Sequence, residues 1–581
     1  MHGYVPPIAD YRFLLGEVLG FASEMAEIGD ETDLDLALAV LEEGGRFCAD
    51  RLLPLNREGD EQGSKLIDGE VRTPMGFADA YRAFVDGGWA TLAADPEHGG
   101  QGLPFILQLW FDEMISSTNL SFGLFPGLTR GAAEAIAAHA SDELKSNWLP
   151  PLVSGEWTGA MALTESGAGT DLALIKAKAE PQVDGSFAVS GTKVFISSGD
   201  HDFGGNIVHL VLARLPDAPP GVKGISLFLV PKFLPDGDGG FTVRNAMSVG
   251  ALEKKMGIHA QPTCVMNYDG ATGWLVGKPH RGLAAMFTMM NAERLMVGMQ
   301  GLGIAGAAYQ RASAYAKERL QGRSADGARE PVAIIEHADV RKMLLGVRAF
   351  VEGGRALAGW TALQLGRAYR HPDAVERAKA DSFVALLTPV VKAAFTDLGF
   401  EGAVQAQQVF GGHGYIREWA MEQFVRDARI AQIYEGTNGV QAMDLVSRKL
   451  AMADGAVVAG FFQLVAGDLA MAAPTLEGQR IAAATQDALA LLEGTTAALR
   501  GASVDAAGAA ATDYLRLFAL VSLGWMWTRM AAAASGDDAV HSAKRAVAAF
   551  FAERMLPQAN ALAAGIAAGE AAILLLPADA F

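Results

Sequence analysis

The chain has 581 residues, 50% of them hydrophobic and 19% charged, which excludes a disulfide miniprotein or a long disordered tract. That length allows three or four domains, each with its own core. The formal charge of -19, with no run of Lys or Arg, argues against a nucleic-acid or anionic-membrane partner and toward a small molecule or a protein.

Taken in chain order, residues 1–156 read as a helical domain, with apolar residues at helical spacing in Phe13, Leu14, Val18 and Phe21 and again from Leu34 to Leu41. No strand-like alternation stands out there. Met1 to Asp10 lacks a basic n-region, and the apolar stretch from Phe13 to Ile28 is interrupted by Glu17, Glu24 and Glu27, so no signal peptide is expected. Residues 157–280 change character to short β-type runs, among them Asn206 to Leu212 and Ile225 to Val230, separated by Gly, Pro and Asp turns. A second helical domain is expected over 281–451, broken by a polar, Gly-containing linker between Arg319 and Pro331. Residues 452–581 read as an additional helical domain, in which Ala506 to Ala511 suits either a loop or a tightly packed helix. The longest apolar run, Leu517 to Trp527, has eleven residues against the roughly 20 that span a bilayer, so a buried helix and no integral membrane segment are expected.

The order α, β, α is unlike alternating βαβ units. Gly301-Leu302-Gly303-Ile304-Ala305-Gly306 matches G-x-G-x-x-G in letters, but a helical stretch precedes it, so the glycines are expected to let two helices approach closely rather than to bind a dinucleotide. Cys48 and Cys264 are the only cysteines, which excludes a disulfide framework and a Cys-ligated metal cluster and suits a reducing, cytoplasmic compartment. No metal site is expected.

Three segments carry chemistry. Thr164-Glu165-Ser166-Gly167-Ala168-Gly169-Thr170-Asp171 combines glycines and hydroxyls that suit close contact with a phosphate or a flat heterocycle, and equally a plain surface loop. Thr192 to Asp200 reads as a strand whose alternation puts Phe195 and Ser197 on one face, one to pack on a ring and one to bond its polar edge; a core phenylalanine is the alternative. Gln408 to Tyr415 holds three glycines in four positions, and further on Tyr434-Glu435-Gly436-Thr437-Asn438 places a carboxylate in an apolar stretch, where desolvation strengthens it as a base; a solvated helix-end glutamate has the same letters.

In their order and spacing, these segments resemble the acyl-CoA dehydrogenase family, over the chain from its first helices to about Arg448. The N-terminal extension with Asp10-Tyr11-Arg12-Phe13, the segment Lys255 to His259 and the helical tail resemble the long bacterial branch of that family. The resemblance implies an α+β fold: an N-terminal α-helical domain, a middle β-barrel or sandwich domain, a C-terminal four-helix bundle and the extra helical tail. It also implies FAD and α,β-desaturation of an acyl-CoA thioester, with electrons passed to an electron-transfer flavoprotein. An acyl-CoA oxidase or a non-dehydrogenase flavoprotein of the same fold is the alternative.

In family terms Thr164, Gly169 and Thr170 contact the flavin and its pyrophosphate, Phe195 lies beside the ring in place of the usual tryptophan, and Ser197 lies near N5. Arg319, Gln408, Gly411 and Gly412 match positions that reach FAD in a neighbouring subunit, which implies at least a homodimer, with a tetramer as the alternative. Thr437 and Asn438 fall where the family holds the cofactor again, whereas Gly439 departs from the glutamine or glutamate common there. Glu435 is assigned as the base that removes the Cα proton, its backbone N–H helping to hold the thioester oxygen; Glu293 is the alternative, because some branches place the base immediately before the arginine that corresponds to Arg294. Asn291, Arg294 and Tyr434 are assigned to the acyl-CoA side of the pocket, and methylmercaptopropionyl-CoA is expected as substrate ahead of short- or medium-chain acyl-CoA.

Overall fold

The computed structural model describes residues 3–323, 330–471 and 476–581. The stretch 324–329 of the expected linker after Arg319 lies outside the described residues. Packing divides the chain into two compact units: one holds Met1–Arg46, Pro104–Ser117 and Val297–Phe581, the other Phe47–Leu103 and Thr118–Met296.

The second unit is built on a seven-stranded sheet. Strand Thr263–Val276 pairs with Phe187–Ser197, which pairs with Lys178–Pro181, then Ile207–Arg214, then Ile225–Pro231, which returns to Thr263–Val276. Five strands therefore close a ring, the expected β-barrel, with Met247–Leu252 and Thr158–Ala162 added at its margins. Ile207–Arg214 reads almost continuously apolar because it is buried on both faces. One face packs on a cluster that includes Trp148, Trp157, Leu210 and Leu229; the other packs on Val189, Val211, Phe228 and Met266.

A two-stranded hairpin, Lys65–Ile67 with Glu70–Arg72, corrects the reading of residues 1–156 as purely helical. Its turn, Asp68-Gly69, has φ of 52° and 82°, the left-handed pair of a type I′ turn. The signal was the Asp-Gly dipeptide; the strands are too short to show a period.

Among the described residues, the first unit is helical apart from short bridges. Helices Ala338–Arg370 and Ala374–Val409 lie side by side, and Val504–Ala533 packs against both. The Gly301 region lies inside the helix Gly282–Glu318, as expected. A Cβ on Gly301 would strike the backbone carbonyl of Phe395, and one on Gly399 would strike the backbone of Gly301, so the two helices touch backbone to backbone. Ala506 to Ala511 is helical, and Leu517 to Trp527 is buried. Three described helices, Ala374–Val409, Met452–Met471 and Val504–Ala533, are long and apolar enough to cross a membrane by length and composition; the windows of the first and third are 83% and 67% buried in protein.

A buried ion cluster joins four distant segments of this unit. Arg355 bonds Glu113 at 3.0 Å through Nε and reaches Asp10, while Lys544 bonds Glu352 at 2.7 Å and also reaches Asp10. Burial alone would raise the Asp10 carboxyl, but Lys544 and Arg355 overcome that and hold it below its ordinary value.

Candidate active site

Phe195 stands at a β-bulge. Ile196 pairs with Cys264 and Lys193 with Met266, so Val194 and Phe195 together oppose the single residue Val265. The bulge puts Phe195 at φ 61° and leaves the residue 63% exposed. The regular alternation expected to pair Phe195 with Ser197 on one face is interrupted here, and the core-phenylalanine alternative fails. An exposed aromatic held at a strained backbone position is a surface for a flat ring.

The loop at Thr164 is fastened to this bulge. Val194 N–H donates to the Thr164 carbonyl at 2.9 Å, and the Lys193 ammonium donates to the Leu163 carbonyl and the Glu165 carboxylate, each at 2.9 Å. Glu165 also accepts the backbone N–H groups of Lys176 at 2.7 Å and Ala177 at 3.0 Å. Burial pulls the Lys193 ammonium down to about 8 against the pull of Glu165. Burial opposes ionisation of Glu165 as well, yet Lys193 and the two backbone donors hold its carboxyl below its usual value. The structure thus brings Thr164 beside the Phe195 bulge. No atom outside the local chain lies within 4 Å of where a Cβ on Gly167 or Gly169 would stand, so this backbone is open to close approach. Thr170 is exposed and Ser197 half-buried. These features fit a flavin: an exposed aromatic face, an open glycine-rich backbone and hydroxyls beside it.

On the same unit, Asn291, Glu293 and Arg294 lie in the helix Gly282–Glu318. Glu293 is 3% exposed, its carboxylate set against the glycine backbone at Gly127 and Gly131. Arg294 is buried, donates to Asn291 Oδ1 at 3.4 Å and lies 6.0 Å from the Phe287 ring centre.

The other unit carries the remaining predicted residues, in two places. Tyr315 stacks on Phe410 with centroids 4.1 Å apart, and its hydroxyl meets His413 Nδ1 at 2.9 Å, so the end of the helix Gly282–Glu318, just before Arg319, meets the turn of Gly411 and Gly412. Arg319, Gln408, Gly411 and Gly412 are all exposed there.

The second place is the turn 432–438. Glu435 is half-buried at φ 55°, a left-handed position rare for a glutamate. Tyr434 O–H donates to Gln300 Oε1. Thr437 caps the helix Asn438–Asp444, its Oγ1 accepting from Val440 N–H at 3.2 Å. Gln441 Nε2 donates to the Glu435 carbonyl at 3.1 Å, two residues beyond the atypical Gly439.

The Asn438 amide is consumed internally. Its Oδ1 accepts from Lys392 at 2.8 Å, and its Nδ2 donates to Asp397 at 2.7 Å and to the Ala393 carbonyl at 3.2 Å. With both ends of its amide bonded, the side chain is held against the helix Ala374–Val409. Lys392 was missed in the sequence, although a lone lysine in the apolar run Leu386 to Phe395 was the available signal.

Residues 37–156 match the acyl-CoA dehydrogenase N-terminal domain, 160–271 the middle domain, 280–450 the C-terminal domain, and 458–577 the acetyl-CoA dehydrogenase C-terminal-like domain. The chain is 43% identical over 571 residues to the 3-methylmercaptopropionyl-CoA dehydrogenase of Ruegeria pomeroyi, covering 96% of this chain and 97% of that protein. In fold it is similar to Caenorhabditis elegans ACDH-11 in complex with C11-CoA, with a TM-score of 0.78 at 18% identity over 96% of this chain and 93% of that one. It is also similar to the Bacillus anthracis acyl-CoA dehydrogenase complexed with FAD, with a TM-score of 0.73 at 19% identity over 92% and 88%. The chain belongs to the acyl-CoA dehydrogenase family and is an oxidoreductase of that family.

Proposed function

We propose that this enzyme desaturates 3-methylmercaptopropionyl-CoA, with short- or medium-chain acyl-CoA as the next candidates, in the breakdown of dimethylsulfoniopropionate, and that an electron-transfer flavoprotein accepts its electrons. The substrate reading is supported by the 43% identity to the Ruegeria pomeroyi enzyme along almost all of both chains. The observation that carries the mechanism is Glu435, half-buried at φ 55° between Tyr434, bonded to Gln300, and Gly436, bonded to Lys392. Its carboxylate takes the Cα proton, and its backbone N–H donates to the thioester oxygen as charge collects there. Bound FAD supplies the acceptor for the hydride that leaves Cβ. Phe195, Thr164, Gly169, Thr170 and Ser197 hold the flavin, and Asn291, Arg294 and Tyr434 line the acyl-CoA side. Arg319, Gln408, Gly411, Gly412, Thr437 and Asn438 complete the cofactor site, the first four across a homodimer interface in a cytoplasmic enzyme. The four segments 1–156, 157–280, 281–451 and 452–581 are its domains.

The test compares Glu435→Gln with Glu293→Gln. Glu435→Gln is expected to keep FAD and lose turnover, while Glu293→Gln keeps measurable turnover. A dead Glu293→Gln beside an active Glu435→Gln overturns the base assignment. Comparing kcat/KM across an acyl-CoA panel tests the substrate, and a preference for a long-chain thioester sinks that reading. Rapid reoxidation by oxygen would identify an oxidase instead, and a monomer in solution removes the shared cofactor site.

A further inference from the structure

The base loop is held by a cation buried behind it. The Lys392 side chain is 0% exposed in the middle of the helix Ala374–Val409. Its ammonium donates at 2.8 Å to the carbonyl of Gly436, the residue after Glu435, and at 2.8 Å to Asn438 Oδ1. One turn along the same helix, Thr396 bonds the Asn438 amide nitrogen at 2.9 Å, and Asp397 accepts from both Asn438 at 2.7 Å and Gln432 at 2.6 Å. The turn from 432 to 438 is therefore tied to one rigid helix at both ends, and by a charged donor in its middle. Charge-assisted hydrogen bonds are roughly twice as strong as neutral ones, and burying an ammonium is worthwhile only with such partners.

We infer that Lys392 is a positioning residue, which fixes the Glu435 carboxylate and backbone N–H by clamping the carbonyl of Gly436 and the side chain of Asn438. This role of Lys392 rests on the reading of Glu435 as the base. A glutamate at positive φ has several nearby backbone alternatives, and the clamp selects one. Helix and loop pack within the same compact unit, so the clamp acts on the base directly.

The experiment replaces Lys392 with Met in the full-length FAD-loaded enzyme, which keeps the side-chain volume and removes the donor. The expected result is an unchanged flavin content and KM with kcat down about 10- to 100-fold, the scale set by small misplacements of a reacting group. Substrate deuterated at Cα should then show a larger isotope effect on kcat than with the unaltered enzyme, because proton removal has become slower; a purely structural loss would not enlarge it. Asn438→Ala, which removes one of the two acceptors, should give a smaller change in the same direction and serves if Lys392→Met does not fold. An enzyme with kcat within twofold and an unchanged isotope effect, alongside an inactive Glu435→Gln, overturns the inference. An active Glu435→Gln overturns the base assignment instead.

Discussion

Acidification should loosen the β-barrel through two buried histidines, and the size of the effect follows from their hydrogen bonds. His209 is 0% exposed, its Nε2 lying 2.8 Å from the Gly199 carbonyl and its Nδ1 2.7 Å from the Tyr268 hydroxyl. A carbonyl only accepts, so Nε2 carries the proton and Nδ1 accepts from Tyr268. His201 repeats the pattern: its Nδ1 accepts from the Phe203 N–H at 3.3 Å and its Nε2 faces Thr158 Oγ1 at 2.7 Å, so a second ring proton would point at a backbone donor. Burial, more than any neighbouring charge, pushes His209 down to about 4 and His201 to about 3 from 6.5.

The unfolded chain takes up a proton near pH 6.5 that the folded chain refuses until about pH 4 at His209. Stability is therefore intact above about pH 6.5 and falls as the pH drops toward 4. Between pH 7 and pH 5, His209 alone accounts for a loss of about 2 kcal/mol, approaching about 3 kcal/mol below pH 4. His201 adds an effect of the same sign. The measurement is hydrogen exchange of the amides in Ile207–Arg214 at pH 7 and pH 5, corrected for intrinsic exchange, in the unaltered protein and in His209→Gln. The glutamine amide offers one donor and one acceptor group in place of the ring nitrogens and does not titrate. The unaltered protein should lose about 2 kcal/mol more than His209→Gln on acidification, and equal losses would refute the argument.

Two further outcomes test the packing. Gly301→Ala should destabilise by about 1–3 kcal/mol, since its methyl meets the Phe395 carbonyl, whereas Gly306→Ala, whose nearest neighbour is 3.6 Å away, should stabilise by up to about 1 kcal/mol; thermal melts that rank the pair the other way contradict the backbone contact. Lys544→Met leaves Asp10 and Glu352 buried with one cation fewer and should cost about 3–5 kcal/mol, with partial recovery in Lys544→Met/Asp10→Asn; no recovery in a urea titration would show that lost packing, not lost charge, is responsible.

The sequence predicted the architecture because its signals are local. The shift from helical spacing to β-type runs near Trp157 and back after Arg281 reflects which faces are buried, and periodicity records that residue by residue. The G-x-G-x-x-G letters lie inside a helix, as the helical spacing that precedes them predicts. The hairpin at Lys65–Arg72 escaped because three-residue strands carry no period, although its Asp-Gly turn was in view. The apolar run ending at Trp527 belongs to a helix of 30 residues, and the protein around it, not the run's length, buries it.

By itself, then, the sequence determined the fold class, the family and the short list of residues from Thr164 to Asn438, all readable from motif order and hydrophobic pattern. Tertiary structure decided how those residues are placed. Only the pairing of Cys264 with Ile196 and Met266 with Lys193 reveals the bulge that exposes Phe195. Only the register of the helix Ala374–Val409 against the turn 432–438, some 40 positions away in the chain, brings Lys392 to the carbonyl beside Glu435 and to the side chain of Asn438. Such contacts depend on three-dimensional packing between segments whose own sequences are indifferent to it, and no local pattern encodes them.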